Sequence, residues 1–136
     1  GFNELHHKAL SIKERKKITT CSSFIMSDNR IEAQDFVSRV HKIKGNNFPV
    51  TYYAHNHANA VLALGESWNK AGEISGQIAL KTLPGLSYKS VTNHVETIDI
   101  ESNHSSLDLV IAKGGKKDLS IINRIGSIKA DPGCKV

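Results

Sequence analysis

Two histidines lie two positions apart in the segment His55-Asn56-His57, directly after a predicted strand. Residues two apart on a strand project to the same face, so both imidazoles are expected to converge on one point. Such a pair suits a zinc site completed by further ligands, and it equally suits metal-free proton transfer, because imidazole titrates near neutral pH. Two surface histidines beside a helix-capping Asn56 are the alternative interpretation.

A second polar pair, His94 and Glu96, lies on the same face of another predicted strand as Ile98 and Ile100. Glu96 could accept a proton while His94 donates one, or Glu96 could simply orient the imidazole. The alternative is a pair at the strand edge that faces solvent.

Arg124 interrupts an otherwise apolar predicted strand. An arginine at such a position either pairs with an acid such as Glu96 or Asp99 or reaches into a cleft. Further candidates for substrate contacts are two phosphate-binding cations and two aromatic side chains that could position a base: Lys89, Lys113, Tyr53 and Trp68.

These residue types together are the ones that metal-free RNA cleavage needs: a base for the ribose 2′-hydroxyl, an acid for the leaving oxygen and a cation for the phosphorane. We therefore predict a metal-independent endoribonuclease without a cofactor. His94 is its expected acid–base residue, and His55 or His57 is the expected counterpart. Arg124 and Lys89 are expected to hold phosphate, with Glu96 or Tyr53 in support.

Three other functions compete with this prediction. A metal-dependent nuclease could hold Mg²⁺ at Asp99, Glu101 and Asp108, but no Glu-x-Lys triplet follows on the next strand. A thiol hydrolase would need Cys21 and a histidine to meet in a cleft. A non-catalytic module for nucleic acid or protein would use only the basic zones.

The length and the net charge of the chain limit the possible domain number and the possible partners. The chain has 136 residues, of which 39% are hydrophobic, so we expect a single domain, 1–136, with a packed core. No apolar run is long enough for a membrane-spanning helix. The net charge is +5, and two basic zones bracket the acidic stretch 91–108. Both features favour a polyanionic partner, although a solvated lysine surface would give the same pattern.

Periodicity and turn residues predict an α+β fold, in which a helical N-terminal half packs on a C-terminal antiparallel β-meander. Helices are predicted over 3–17, over 30–44 and over 57–80, the last as two helices broken near Gly72. Strands are predicted over 18–26, 48–54, 91–101, 107–112 and 119–128. Gly114-Gly115 is the expected turn between the last two strands.

The ends of the chain carry further expectations. Cys21 and Cys134 could form one bridge or both stay free. The chain begins Gly1-Phe2 without a methionine, which suggests a fragment or a processed product. Turn residues at 131–133 predict a mobile tail beyond them.

The architecture resembles the C-terminal toxin domains of bacterial contact-dependent growth inhibition and related polymorphic toxin systems. The resemblance rests on the methionine-less basic start, the length, and helices 3–17 and 30–44 preceding a sheet that carries His94. It implies a nuclease toxin, commonly a transfer RNase, exported as part of a larger protein and acting in the bacterial cytoplasm. It also implies transfer RNA, a cognate immunity protein and a host translation factor as partners.

Overall fold

The computed structural model describes residues 2–129, so Gly1, Cys134 and the predicted turn at 131–133 lie outside the described residues. Its first two helices are α1 (Glu4–Ala9) and α2 (Ile12–Arg15). Asn3 caps α1, because its side-chain oxygen accepts hydrogen bonds from the backbone N–H groups of Leu5 and His6. The single helix 3–17 is wrong, because Leu10 and Ser11 are extended and Ser11 caps a second helix through a capping box with Glu14.

Strand β1 (Thr19–Ser22) and helix α3 (Ile31–Lys44) confirm the next two predicted elements. Helix α3 ends at Gly45, whose φ of 88° lies in the left-handed region that glycine adopts without steric cost. The loop between β1 and α3 is held by Asp28 rather than by a conventional helix cap. Arg30 occupies the N-cap position, and its backbone N–H donates to the Asp28 carboxylate.

Helices α4 (Tyr52–Ala71) and α5 (Gly76–Thr82) follow, and Gly72 ends α4 with a φ of 72°, as the predicted break requires. The predicted strand over 48–54 is wrong, since α4 begins inside it. The buried face of α4 repeats every four residues and is largely polar: Thr51, His55, Asn59, Ala63 and Ser67. A search for apolar periodicity does not detect such a face.

Between residues 87 and 129 the chain forms four strands: β2 (Ser87–Lys89), β3 (Val95–Thr97), β4 (Leu107–Gly114) and β5 (Leu119–Ile128). Strands β2 and β3 form a separate antiparallel hairpin, while β1, β4 and β5 form an antiparallel sheet in the order β1-β4-β5. The predicted three-stranded meander is therefore wrong in its first strand, whose place beside β4 is taken by β1. The predicted pairing of β4 with β5 is confirmed.

Strand β5 contains two more residues than the strand it pairs with. The register shifts opposite Leu109/Val110 and opposite Ile111/Ala112, which leaves Ile125 and Ile122 as the extra residues of two bulges. Both isoleucines are exposed. The alternation of inward and outward side chains along β5 is therefore reset twice.

Two clusters of buried apolar side chains support this α+β fold. One joins the β1–α3 loop, α3 and α4 around Phe24, Phe36 and Val50. The other joins the same loop to β4 and β5 around Ile25, Val110 and Leu119. Because Phe24 and Ile25 are neighbours that belong to different clusters, the β1–α3 loop connects the helical part with the sheet. Within residues 2–129, no helix is both long and apolar enough to cross a bilayer.

Candidate functional site

Five charged or titratable side chains from distant parts of the chain meet beside the β1–α3 loop, and we call them the charged cluster: Asp28, Arg30, His94, Asp108 and Arg124. Asp28 is at its centre and is 2% exposed. Arg124 donates to both carboxylate oxygens of Asp28, at 2.7 and 3.1 Å. Such a two-pronged ion pair fixes the plane of the guanidinium as well as its position.

Arg30 connects Asp28 with the rest of the charged cluster. Its Nε donates to Asp28 Oδ2 at 2.8 Å, and its Nη1 donates to Asp108 Oδ2 at 3.1 Å. His94 Nε2 lies 3.1 Å from the same Asp108 oxygen and also contacts Arg30 Nη1. One guanidinium thus links the start of α3 to β4 and to the β2–β3 hairpin region.

Asp28 remains ionised over the whole physiological range. Burial raises the pKa of its carboxyl group, but the hydrogen bonds from Arg124 and then Arg30 outweigh burial and lower the pKa from 3.8 to about 2. The two arginines are balanced by Asp28 and Asp108, so the cluster has no net charge when His94 is neutral.

An open cavity of about 540 Å³ adjoins the charged cluster, and we call it the Arg124 cavity. It is lined by the loop 27–29, by the β4–β5 connection and start of β5 over 115–121, and by Arg124. The side chain of Arg124 is 38% exposed, so its guanidinium is fixed on one side and accessible on the other. Lys116, Lys117 and Asp118 also line the cavity, and the cations outnumber the carboxylates by three to two when Asp28 is included.

His55 lies next to the charged cluster but is sealed from solvent. Its ring stacks on Phe24 with 5.0 Å between centroids and meets Phe36 edge-on. Its Nδ1 lies 3.1 Å from Asn56 Oδ1, and its Nε2 lies 3.2 Å from Thr92 Oγ1. Since the Asn56 oxygen can only accept, Nδ1 carries the proton and Nε2 accepts from the Thr92 hydroxyl. Burial lowers the pKa of His55, so the ring is neutral at physiological pH.

This burial predicts a pH-dependent stability. In the unfolded chain His55 takes up a proton below its ordinary pKa of 6.5, whereas the buried ring resists it, so stability present above pH 6.5 is lost as the pH falls further. Urea denaturation of a His55→Gln variant should show a smaller fall in unfolding free energy between pH 7 and pH 5 than the original chain. His57→Gln, at an exposed position of the same helix, is the control and should follow the original chain; equal slopes for all three proteins would refute the assignment.

The histidine pair at 55 and 57 does not converge, because both residues are in α4 rather than on a strand. A separation of two residues on a helix turns side chains to different sides, and His57 is exposed with its Nδ1–H donating to the Tyr53 carbonyl at 2.7 Å. Glu96 is 3% exposed and accepts from Asn59 and Tyr88, away from Arg124.

The structure therefore assembles only part of the residue set proposed from the sequence. His94 and Arg124 come together in the charged cluster, and Arg124 both pairs with an acid and lines a cavity, but the acid is Asp28 rather than Glu96 or Asp99. The four proposed substrate-binding residues lie outside that cluster: Lys89, Lys113 and Tyr53 are exposed, and Trp68 donates to the Ser75 carbonyl at 3.0 Å.

Asp28 and Arg30 are the functional candidates that sequence reasoning missed, and Asp108 entered it only as a possible magnesium ligand. Asp28 is preceded by serine and followed by asparagine, a pattern typical of a helix cap, and the sequence alone does not distinguish a capping aspartate from an ion-pair partner. Cys21 is exposed on β1, and within residues 2–129 no histidine side chain forms a hydrogen bond with its thiol. In the same range, no group of three or more histidine, cysteine or acidic side chains is arranged to hold a metal ion.

No family model and no curated protein matches the chain, so its resemblance to toxin domains stays a prediction. Solved structures do match. A substrate-binding protein of an amino acid ABC transporter from Pseudomonas fluorescens Pf-5 covers 97% of the chain with a TM-score of 0.76 and 12% identity. Solute-binding proteins of ABC transporters from Rhodopseudomonas palustris cover 82% and 88% with TM-scores of 0.68 and 0.67 and identities of 16% and 14%. The first of these two is in complex with 3,4-dihydroxybenzoic acid and the second with benzoate.

These matches correct the function predicted from the sequence. The prediction of a transfer RNA-cleaving ribonuclease toxin, with RNA, an immunity protein and a host translation factor as partners, is wrong, because the shared architecture is that of proteins named for binding solutes. The chain spans only about a third of the length of these structures, covering 31–36% of each. What the likeness establishes is a fold: residues 2–129 adopt an α+β arrangement that recurs within ABC-transporter solute-binding proteins.

Proposed function

We propose that this chain is part of a solute-binding protein and that its Arg124 cavity receives the carboxylate of a small organic acid. The observation that carries the proposal is the fixed, half-exposed guanidinium of Arg124 at an open cavity, in a fold shared with solute-binding proteins. Ligand sites are typically concave and contain a few polar groups in fixed positions, and a guanidinium matches a carboxylate in geometry and charge.

The surroundings of Arg124 support an anionic ligand. Asp28 is engaged by two arginines, which neutralise its charge, while Lys116 and Lys117 add positive charge to the cavity wall. Because Asp28 already fixes the Arg124 side chain, binding costs less conformational entropy than it would at a free arginine.

The ligands of the structurally similar solute-binding proteins also support an anionic ligand for this chain. Benzoate and 3,4-dihydroxybenzoic acid each combine a carboxylate with an aromatic ring, and amino acids also carry a carboxylate. For this chain we infer a small carboxylic acid as the ligand, and a small molecule takes the place of RNA as the binding partner.

Titration calorimetry of the 136-residue chain tests the proposal. Benzoate or 3,4-dihydroxybenzoate should bind saturably, whereas benzamide, which has a similar shape and no charge, should bind at least tenfold more weakly. Arg124→Lys keeps the charge but removes the fork, so we expect about tenfold weaker binding of the acid, equivalent to about 1.4 kcal/mol.

Lys113→Gln is the matched control, because it removes a cation from β4 outside the cavity and should leave affinity unchanged. Equal binding of benzamide and benzoate would contradict the proposal. So would an unaltered affinity in Arg124→Lys, or the absence of saturable binding for benzoates and amino acids alike.

A further inference from the structure

A second, smaller cavity lies between α4, the β2–β3 hairpin and the start of β4, and we call it the Glu96 cavity. Its volume is about 200 Å³, and none of its lining residues lines the Arg124 cavity. Ala60, Ala63, Ile98 and Leu107 form apolar walls, while Glu96 and several neutral polar side chains supply the remainder.

Glu96 is held in place by three neutral donors. Asn59 Nδ2 donates to Oε1 at 3.0 Å, Tyr88 Oη donates to Oε2 at 2.6 Å, and Ser105 Oγ donates to the same oxygen at 3.3 Å. Asn59 is fixed in turn, because its own oxygen accepts the Val91 backbone N–H at 2.9 Å. Glu96, Asn59 and Tyr88 are 3%, 3% and 6% exposed, so the carboxylate is rigid and largely desolvated.

Among the described residues, the buried carboxylate has no ion-pair partner. Within residues 2–129 no lysine, arginine or histidine forms an ion pair with Glu96, and the lining of the Glu96 cavity contains no basic side chain. Burial raises the pKa of Glu96 despite the hydrogen bonds from Tyr88 and Ser105 and the electrostatic effect of His94, which all lower it. An unpaired charge in such surroundings is costly, and a cation in contact with it would be stabilising.

We propose that the Glu96 cavity binds a small organic cation, an ammonium group attached to a compact apolar body. The free acceptor capacity of Oε1 would receive one ammonium N–H, since this oxygen accepts only from Asn59 among the described residues. Asn103 also lines the cavity, and its side-chain oxygen offers a further acceptor. The apolar walls would contact the body of the ligand.

The volume limits the ligand size. A buried apolar cavity of about 150 Å³ accommodates benzene, so 200 Å³ suits a six-membered ring with one head group. Cyclohexylammonium is therefore a suitable probe, and cyclohexanol has the same shape without the charge. Saturable binding of this cation would show that the cavity accepts an organic ligand and does not hold water alone.

Titration calorimetry of the full chain with these two probes tests the proposal. Cyclohexylammonium should bind saturably and at least tenfold more tightly than cyclohexanol. Glu96→Gln should reduce the affinity for the cation at least tenfold and change that for cyclohexanol little, since the substitution removes charge at nearly constant shape.

A second variant leaves the carboxylate intact. Ala60→Leu places a larger side chain at the cavity lining from the exposed side of α4 and should abolish binding of both probes. Ala71→Leu, at the exposed end of the same helix and away from the lining, is its matched control and should bind like the original chain. Equal affinity for the two probes, no binding of either, or undiminished binding by both Glu96→Gln and Ala60→Leu would overturn the proposal.

The two sites can fail independently. Binding of benzoate at the Arg124 cavity should be unchanged in Glu96→Gln, and binding of cyclohexylammonium should be unchanged in Arg124→Lys. If cyclohexylammonium binds and benzoate does not, the proposed function is contradicted and the cation site is supported. If benzoate binds and cyclohexylammonium does not, the cation site is contradicted and the proposed function is supported.

Discussion

Replacing Asp28 with asparagine should lower the free energy of unfolding by about 2–3 kcal/mol at neutral pH. The substitution removes the buried charge that Arg30 and Arg124 both bind, so Arg124 loses its charged partner on the protein side and Arg30 keeps only Asp108. The cost stays below that of a fully buried pair because the two arginine side chains are 26% and 38% exposed. Urea denaturation measures the change directly.

The same carboxylate predicts a dependence on acid pH. Its pKa is about 2 in the folded chain and 3.8 without the structure, so its stabilisation is complete above about pH 4 and is lost as the pH falls towards 2. The difference in stability between the original chain and Asp28→Asn should therefore narrow across that interval. A constant difference from pH 6 to pH 2 would contradict the role given to Asp28.

Asp35→Asn provides the control for charge removal. Asp35 pairs with Arg39 at 3.0 Å on the surface of α3, and the two side chains are 62% and 56% exposed. Exposed pairs of this kind contribute about 0.5 kcal/mol or less, so the variant should remain close to the original chain. An equal loss in both variants would mean that the effect of Asp28→Asn reflects net charge rather than the charged cluster.

Gly114→Ala should destabilise the fold by about 2–3 kcal/mol. A methyl group at this position would lie 2.1 Å from the backbone oxygen of Arg15 and 2.7 Å from its carbonyl carbon. Backbone atoms cannot rotate away as the end of a side chain can, so β4 and the end of α2 must separate. Thermal or urea denaturation should show the loss.

Gly65→Ala is the matched substitution in open space. Gly65 is inside α4 with nothing within 4 Å of the added methyl group, so the gain in helix propensity should stabilise the chain by about 0.5–1 kcal/mol. We therefore expect the free energy of unfolding to fall in Gly114→Ala and to rise in Gly65→Ala. Tolerance of alanine at position 114 would show that the contact between α2 and β4 is looser than the structure has it.

The sequence alone predicts those helices and helix ends that have an apolar buried face or a terminal glycine. Helix α3 has apolar residues at helical spacing and ends at Gly45, and Gly72 marks the end of α4. The sequence predicts a strand where α4 begins, because Val50, Tyr52 and Tyr53 have high strand propensity. Its buried face contains His55 and Asn59, whose burial depends on partners elsewhere in the fold.

The sequence identifies Arg124 as a candidate site residue, but it does not identify the acid that Arg124 pairs with. An arginine in an apolar strand signals a buried or functional partner, and this singled out Arg124 before the fold was known. Which acid it meets depends on how the β1–α3 loop packs against β5, 96 positions away along the chain. Asp28 could not be chosen over other acids until that tertiary contact was known.

The two extra residues of β5 affect how readily one molecule can pair with a strand of another molecule at high concentration. Strand β5 is at the edge of the sheet, where unpaired backbone groups offer a template for another chain. Ile122 and Ile125 interrupt the even spacing of those groups, and Arg124 stands between them. A straight strand from a neighbouring molecule could therefore match only short stretches of this edge, which discourages fibril growth from an otherwise isoleucine-rich segment.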